Sequence, residues 1–208
     1  RDTFISKAGS DTRDYIRGGS EDDFIVLAQS TSGGDWQNGN FGRDFITGAN
    51  STTMSVLRGG ADDDSINIIF GSKHIAVGDL GTDQIFLDGV GRVVLRTDGD
   101  NAAQNFDDAD GIWGFKDGID KAFIPGVNSI TDLTTTQVGL DTFISADTFT
   151  DGTTGTRFIA RFVGNTEAEV DAFIAGGDIM IGDRADNALA ALTVENFLVD
   201  PNLGGIFA

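Results

Sequence analysis

Four nine-residue stretches of this chain superimpose with glycine first, aspartate sixth and isoleucine eighth, and that register limits the possible folds more than any other feature. They are residues 18–26, 39–47, 59–67 and 78–86. A fifth stretch, 9–17, keeps Gly9, Asp14 and Ile16 and abuts the first. The four strongest copies begin 21, 20 and 19 residues apart, close to two nonapeptides. A fixed period of this length marks a stacked architecture in which each repeat supplies one coil. Midway between the repeat isoleucines stand Trp36, Val56 and Ile75, with Val94 half a turn beyond Ile85, and glycines lie nearby at Gly33, Gly34, Gly48, Gly71, Gly89 and Gly91. The pattern predicts a chain that turns, lays down a short strand, turns again on the opposite side and lays down another. The expected fold is all-β, a parallel β-roll made of two sheets.

Each conserved position of the repeat has a physical reason. Glycine permits positive φ and the close approach of stacked backbones, and the isoleucine points between the two sheets. The sixth-position aspartates, Asp23, Asp44, Asp64 and Asp83, project carboxylates into the gaps between neighbouring corners. Stacked carboxylates repel one another, and together with turn carbonyls they form an oxygen cage suited to Ca²⁺. Four stacked corners leave at most three gaps, pairing Asp23 with Asp44, Asp44 with Asp64, and Asp64 with Asp83. The candidate metal set is these four aspartates with the turn residues Gly18, Ser20, Gly39, Phe41, Gly59, Ala61 and Gly78, and with Asp62 as a further carboxylate. Composition agrees: the formal charge is −19 and the acid is 29 Asp against 4 Glu, an excess of the short carboxylate that suits tight turns and hard cations. On the opposite edge Met54 and Lys73 stand about where aspartate would be, so calcium is not expected there except near Asp14 and Asp35.

This arrangement resembles the glycine- and aspartate-rich nonapeptide of the RTX (repeats-in-toxin) proteins. The resemblance covers roughly residues 9–95 and departs from the consensus at its fourth position, which is glycine at Gly42 and Gly81 but Glu21 and Asp62 elsewhere. It implies a calcium-binding β-roll, export by a type I secretion apparatus and folding outside the cell. From Asp110 to Gly126 the sequence is similar to the segment that follows the repeats in serralysin-type secreted proteases, which implies a capping subdomain. The expected organisation is therefore a β-roll over residues 1–100 and a mostly β cap over 101–208 with one or two short helices. In the cap segment Ile112, Phe115, Ile119, Phe123 and Ile124 are expected to bury against the last coil, and Asp120 and Lys121 to form a local charge pair. Strands are expected near 142–144, 156–164 and 178–182. Thr166 and Glu169 signal a helix start, and a second short helix is expected over 185–192. The resemblance also implies a secretion signal in the last few dozen residues. The opening residues 1–5 already read as strand, which is expected of a piece of a longer polypeptide.

Several functions are excluded as expectations. No clustered basic surface is present for nucleic acid. The absence of cysteine removes disulfides, zinc–thiolate sites and cysteine nucleophiles, and His74, the sole histidine, is expected in an exposed turn. No apolar run is long enough for a membrane helix. No nucleophile with its base is evident, so the chain is not expected to be an enzyme. The leading expectation is a module of a secreted or cell-surface bacterial protein that folds on extracellular calcium. The alternatives are a calcium-dependent surface-layer or adhesin block that self-assembles, and the C-terminal part of a secreted hydrolase.

Overall fold

The computed structural model describes residues 1–6, 14–27, 34–48, 54–69, 73–97, 105–182 and 185–186. Its strands form two facing sheets. The first holds, in spatial order, β1 (Thr3–Ile5), β3 (Phe24–Val26), β5 (Phe45–Gly48), β7 (Ser65–Ile68), β9 (Gln84–Leu87), β11 (Asp110–Trp113), β15 (Thr154–Val163), β14 (Asp141–Thr148) and β13 (Leu133–Val138). The second runs β16 (Ile179–Ile181), β12 (Lys121–Ile124), β10 (Val90–Val94), β8 (Lys73–Leu80), β6 (Ser55–Ala61), β4 (Trp36–Phe41) and β2 (Tyr15–Gly19). Through β12, odd and even strands alternate between the sheets, and each pairs in parallel with the strand one coil away, as between β5 and β7 or β6 and β8. This is a β-solenoid of about four turns, compatible with the two-sheet roll expected from the repeat. The parallel pairing continues beyond residue 100 through β11 and β12.

The repeat isoleucines Ile25, Ile46, Ile66 and Ile85 are in lateral register and fully buried, forming one wall of the core. Full burial of a side chain of this size contributes about 1.5–3 kcal/mol, so the stacked row is a principal source of cohesion. The facing wall is made by Leu57, Ala76, Val93 and Ala122 rather than by the midpoint residues. Trp36, Val56 and Ile75 are one residue out of phase, and strand alternation turns them to the other face of the second sheet. There they join Val77, Val94, Phe123 and Ala185 in a separate buried cluster.

At the C-terminal end the sheet changes character. β11 pairs in parallel with β15, and β14 and β13 follow as antiparallel neighbours. The helix α1 (Glu167–Gly176) starts with a reciprocal capping box between Thr166 and Glu169, as expected, and ends at Gly177 in the left-handed region with φ 76°. Its Phe173 lies 5.0 Å from the Phe115 ring and 6.2 Å from Phe162, sealing the inter-sheet core. The strands expected near 142–144, 156–164 and 178–182 correspond to β14, β15 and β16, with bounds differing by up to two residues in the last two. Of the cap residues, Ile112, Phe115, Phe123 and Ile124 are buried, whereas Ile119 is 46% exposed because Gly118, at φ 67°, carries the turn outward. Asp120 and Lys121 do not pair with one another. Asp120 accepts the Gly91 and Lys116 N–H groups, and Lys121 forms its ion pair with Asp178. The expected second helix lies, beyond Asp186, outside the described residues, as does the expected terminal secretion signal.

Candidate metal centre

The corners preceding β3, β5, β7 and β9 share one backbone course, set by two left-handed residues apiece. The second and fourth repeat positions have positive φ in every corner: Gly19 and Glu21, Asn40 and Gly42, Gly60 and Asp62, Asp79 and Gly81. Each corner thus places glycine at one of the two positions and Glu, Asn or Asp at the other. Asn and Asp tolerate the left-handed region better than most residues, and Glu21 bears its cost at the end of the stack. The departures at Glu21 and Asp62 therefore keep the turn geometry of the consensus.

That course turns the sixth-position aspartates inward. Asp23, Asp44, Asp64 and Asp83 are 0–3% exposed. In each, Oδ1 accepts the backbone N–H of the equivalent aspartate one coil earlier: Asp2 to Asp23 at 2.6 Å, Asp23 to Asp44 at 2.7 Å, and Asp44 to Asp64 and Asp64 to Asp83 at 2.8 Å. Asp110 continues the ladder by accepting from Asp83 at 2.9 Å. Asp2 and Asp110 were not in the candidate set. Asp110-Gly111-Ile112 nevertheless repeats the Asp-x-Ile signature, displaced because the chain between β10 and β11 is longer.

The second carboxylate oxygen is the chemically informative one. Oδ2 of Asp23, Asp44, Asp64 and Asp83 is buried and has no hydrogen-bond partner among the described residues. All four point at the first glycine of their own corner. A Cβ on Gly18, Gly39, Gly59 or Gly78 would stand 2.6, 1.8, 2.2 and 2.0 Å from the respective Oδ2. At the first three it would also stand 2.6 Å from the carbonyl oxygen of Gly39, Gly59 or Gly78 in the next coil. Glycine is thus required there because carboxylate and carbonyl oxygens converge on the space a side chain would fill. Ser20, Phe41 and Ala61 supply backbone to the same corners, with Phe41 turned to solvent at 64% exposure. Asp62 lies on the outer side, where its Oδ2 accepts the Gly42 N–H at 3.1 Å.

An unpartnered buried carboxylate oxygen is costly, and the protonation equilibria show it. Burial first, and neighbouring carboxylates after it, push Asp44 up to about 6, Asp64 to about 9 and Asp83 to about 7 against the partial compensation of their backbone hydrogen bonds. Asp110 is raised for the same leading reason, followed by the like charge of Asp83. A cation would remove the penalty directly. The donor set is carboxylate and carbonyl oxygen throughout, the chemistry of a Ca²⁺ cage. No group of three or more His, Cys, Asp or Glu side chains that could hold a metal occurs among the described residues, so such a cage depends on backbone carbonyls.

The opposite edge has a ladder of different composition. Asp14 N–H donates to Asp35 Oδ1 at 2.8 Å, and Asp35 N–H donates to Ser55 Oγ at 3.1 Å. Register places His74 beside Ser55, so Ser55 and His74, not Met54 and Lys73, hold the positions equivalent to Asp35. His74 is fully buried, contrary to the exposed turn expected for it. Its imidazole occupies the space over Gly48, where a Cβ would come within 2.3 Å of the ring. Outside the main ladder Asp79 is 5% exposed and takes Arg58 Nε at 2.7 Å and Arg96 Nη1 at 2.9 Å. These guanidinium groups supply positive charge to the fourth corner from the chain itself. Among the described residues, no helix is long and apolar enough to cross a membrane. No family model, curated protein or solved structure matches the chain.

Proposed function

We propose that this chain is a calcium-responsive β-roll module of the RTX type, belonging to a secreted or cell-surface protein and acting by folding rather than by catalysis. The observation that carries the reading is the row of four buried, unpartnered Oδ2 atoms, each beside a corner glycine whose missing side-chain space is, in three cases, also bordered by a carbonyl oxygen of the next coil. Asp23, Asp44, Asp64 and Asp83 would hold the ions together with carbonyls of the corners that contain Gly18, Gly39, Gly59 and Gly78. With calcium scarce, repulsion within a chain of net charge −19 and the desolvated carboxylates oppose compaction. With calcium abundant, binding free energy becomes folding free energy. A site at one hundred times its dissociation constant adds about 2.7 kcal/mol, so three gaps convert a marginal chain into a stable one. Export through a type I apparatus fits this chemistry, because a chain kept loose at low calcium can be threaded and then folds where calcium is plentiful.

The test is thermal unfolding by circular dichroism in millimolar CaCl₂ and in excess EGTA, with calorimetric titration of the chelated protein. A midpoint raised by roughly 10 °C or more in calcium, with saturable uptake, is expected. Equal midpoints in the two buffers would dispose of the proposal. Sedimentation in calcium bears on the assembly alternative, for which sheets or filaments rather than a monomer are required.

A further inference from the structure

The two outer faces of the solenoid differ. Outside the second sheet Trp36, Val56, Ile75 and Phe123 are buried. Outside the first sheet the face is open. Because the repeat isoleucines point inward, the residues on either side of them point outward. In β3, β5, β7, β9 and β11 these outward residues are half-buried or exposed, apart from Gly111. None of them is charged, although Asp, Glu, Lys and Arg make up 23% of the chain. The first charge met beyond β11 in the row of Gly111, Arg161 in β15, is balanced by Asp141 at 2.9 Å.

Two aromatic pairs stand on this face. Phe24 and Phe45 stack at 5.1 Å, and Phe86 and Trp113 at 4.8 Å. β5 and β9 are two coils apart, so the pairs are separated by roughly 10 Å along the stack. Between them lie hydroxyl and amide side chains, among them Asn67 and Gln84, each amide offering both donor and acceptor. The second pair is held in a fixed place. A Cβ on Gly111 would stand 2.3 Å from the Trp113 ring and 3.1 Å from Gln84 Oε1, so glycine is required there for indole and amide to border the same space. Phe86, stacked on the indole, is 37% exposed, and the Arg161 guanidinium lies 5.9 Å from the ring.

We propose that this face binds a neutral polysaccharide, laid across the coils from the Phe24 and Phe45 pair to the Phe86 and Trp113 pair. A sugar ring offers C–H bonds on its faces and hydroxyls around its rim. Aromatic rings, with their negative faces, match the first, and amide groups beside them match the second. The Phe86 and Trp113 pair takes the C–H face of one sugar unit while the Gln84 amide takes its hydroxyls. Charge selects against other occupants. A nucleic acid, an acidic polysaccharide or an anionic membrane is repelled by a chain of net charge −19, and a second copy brings the same charge with it. An apolar surface would strip water from Asn67 and Gln84 without replacing their hydrogen bonds. The rings stand on paired strands, so little ordering opposes binding. The inference rests on the first sheet and not on the calcium reading.

The probes are hydroxyethylcellulose, glucomannan, xyloglucan and laminarin, each cast into native gels through which the whole chain is run in calcium, with polygalacturonate as the acidic control. Retardation by at least one neutral polymer is expected, and none by polygalacturonate. At least a tenfold loss of affinity is expected for Trp113→Ala and for Gln84→Ala, with circular dichroism checking that each is folded. Gln84 is a half-buried side chain on the sheet surface, so Gln84→Ala decides the matter if Trp113→Ala does not fold. Absence of retardation of folded protein by every neutral polymer would overturn the proposal. So would undiminished retardation of the folded variants, or equal retardation by polygalacturonate. Concentration-dependent dimerisation abolished by Trp113→Ala would also overturn it, by assigning the face to a second copy. Failure of calcium to alter stability while a neutral polymer still binds would remove the proposed function and leave this inference standing.

Discussion

Asp64→Asn separates the two roles of the inner carboxylates, because it preserves one oxygen and changes the other. The asparagine carbonyl can keep the 2.8 Å bond from the Asp44 N–H. The buried and unpartnered Oδ2 becomes an amide NH₂ beside the space over Gly59 that the Gly78 carbonyl also borders. In the chelated protein Asp64 titrates near 9, pushed there by burial and then by Asp83 and Asp44, whereas an unfolded aspartate titrates near 3.9. At pH 7 the fold must keep the group protonated across about three pH units, which costs on the order of 4 kcal/mol. The neutral amide removes most of that cost, so Asp64→Asn is expected to stabilise the calcium-free protein by about 2–4 kcal/mol. That corresponds to a rise in midpoint of at least roughly 4 °C for a chain of this size. In calcium the sign inverts. Asp64 belongs to two of the three gaps, and losing both sites at one hundred times their dissociation constants removes about 5 kcal/mol. The assay is calorimetric melting of wild type and variant at pH 7, each in EGTA and in millimolar calcium. The variant should melt above wild type in EGTA and below it in calcium. A shift of the same sign in both buffers would refute the reasoning.

Gly39→Ala would set a Cβ 1.8 Å from Asp44 Oδ2 and 2.6 Å from the Gly59 carbonyl, so about 3 kcal/mol should be lost with or without calcium. Gly19→Ala, at φ 109° with nothing within 4 Å, should cost only the 1–2 kcal/mol of its backbone strain. Urea titration of both variants measures the contrast. In EGTA the folded protein holds more protons than the unfolded chain from about pH 4 up to the values near 6, 7 and 9 of Asp44, Asp83 and Asp64. Its stability must therefore fall as pH rises through that window, and urea midpoints at pH 5.5 and 8.5 should show the decline, which saturating calcium should flatten. Thr166→Ala deletes the α1 capping box and should cost about 1 kcal/mol equally in both buffers, a check that calcium sensitivity resides in the coils.

The repeat was legible because its requirements are local in sequence. A residue that must turn left-handed, one that must face a core and one that must meet its counterpart a coil away recur at fixed offsets. Ile25, Ile46, Ile66 and Ile85 and their aspartate partners could therefore be located by alignment alone. The second sheet was less legible. Its strands carry no polar marker, and although Trp36, Val56 and Ile75 stand midway between the repeat isoleucines, the core is faced by Leu57, Ala76 and Val93 one position on. Both sets are buried, and hydrophobicity alone cannot assign phase when each face of a strand is covered. His74 was misplaced for a related reason, because its burial depends on Gly48 from another coil.

By itself the sequence determined the period, the handing of chain from one sheet to the other, the inward isoleucines and the row of acidic corners, since each follows from backbone sterics and side-chain alternation within nine residues. Tertiary structure alone decided that one oxygen of every inner carboxylate is consumed by the coil before it while the other is left bare beside glycine. It alone decided that Asp2 and Asp110 extend the ladder and that α1 packs its Phe173 on the rings of Phe115 and Phe162 beyond the last coil. Those features arise between segments separated by about twenty residues or more, where register is set by how whole coils settle on one another.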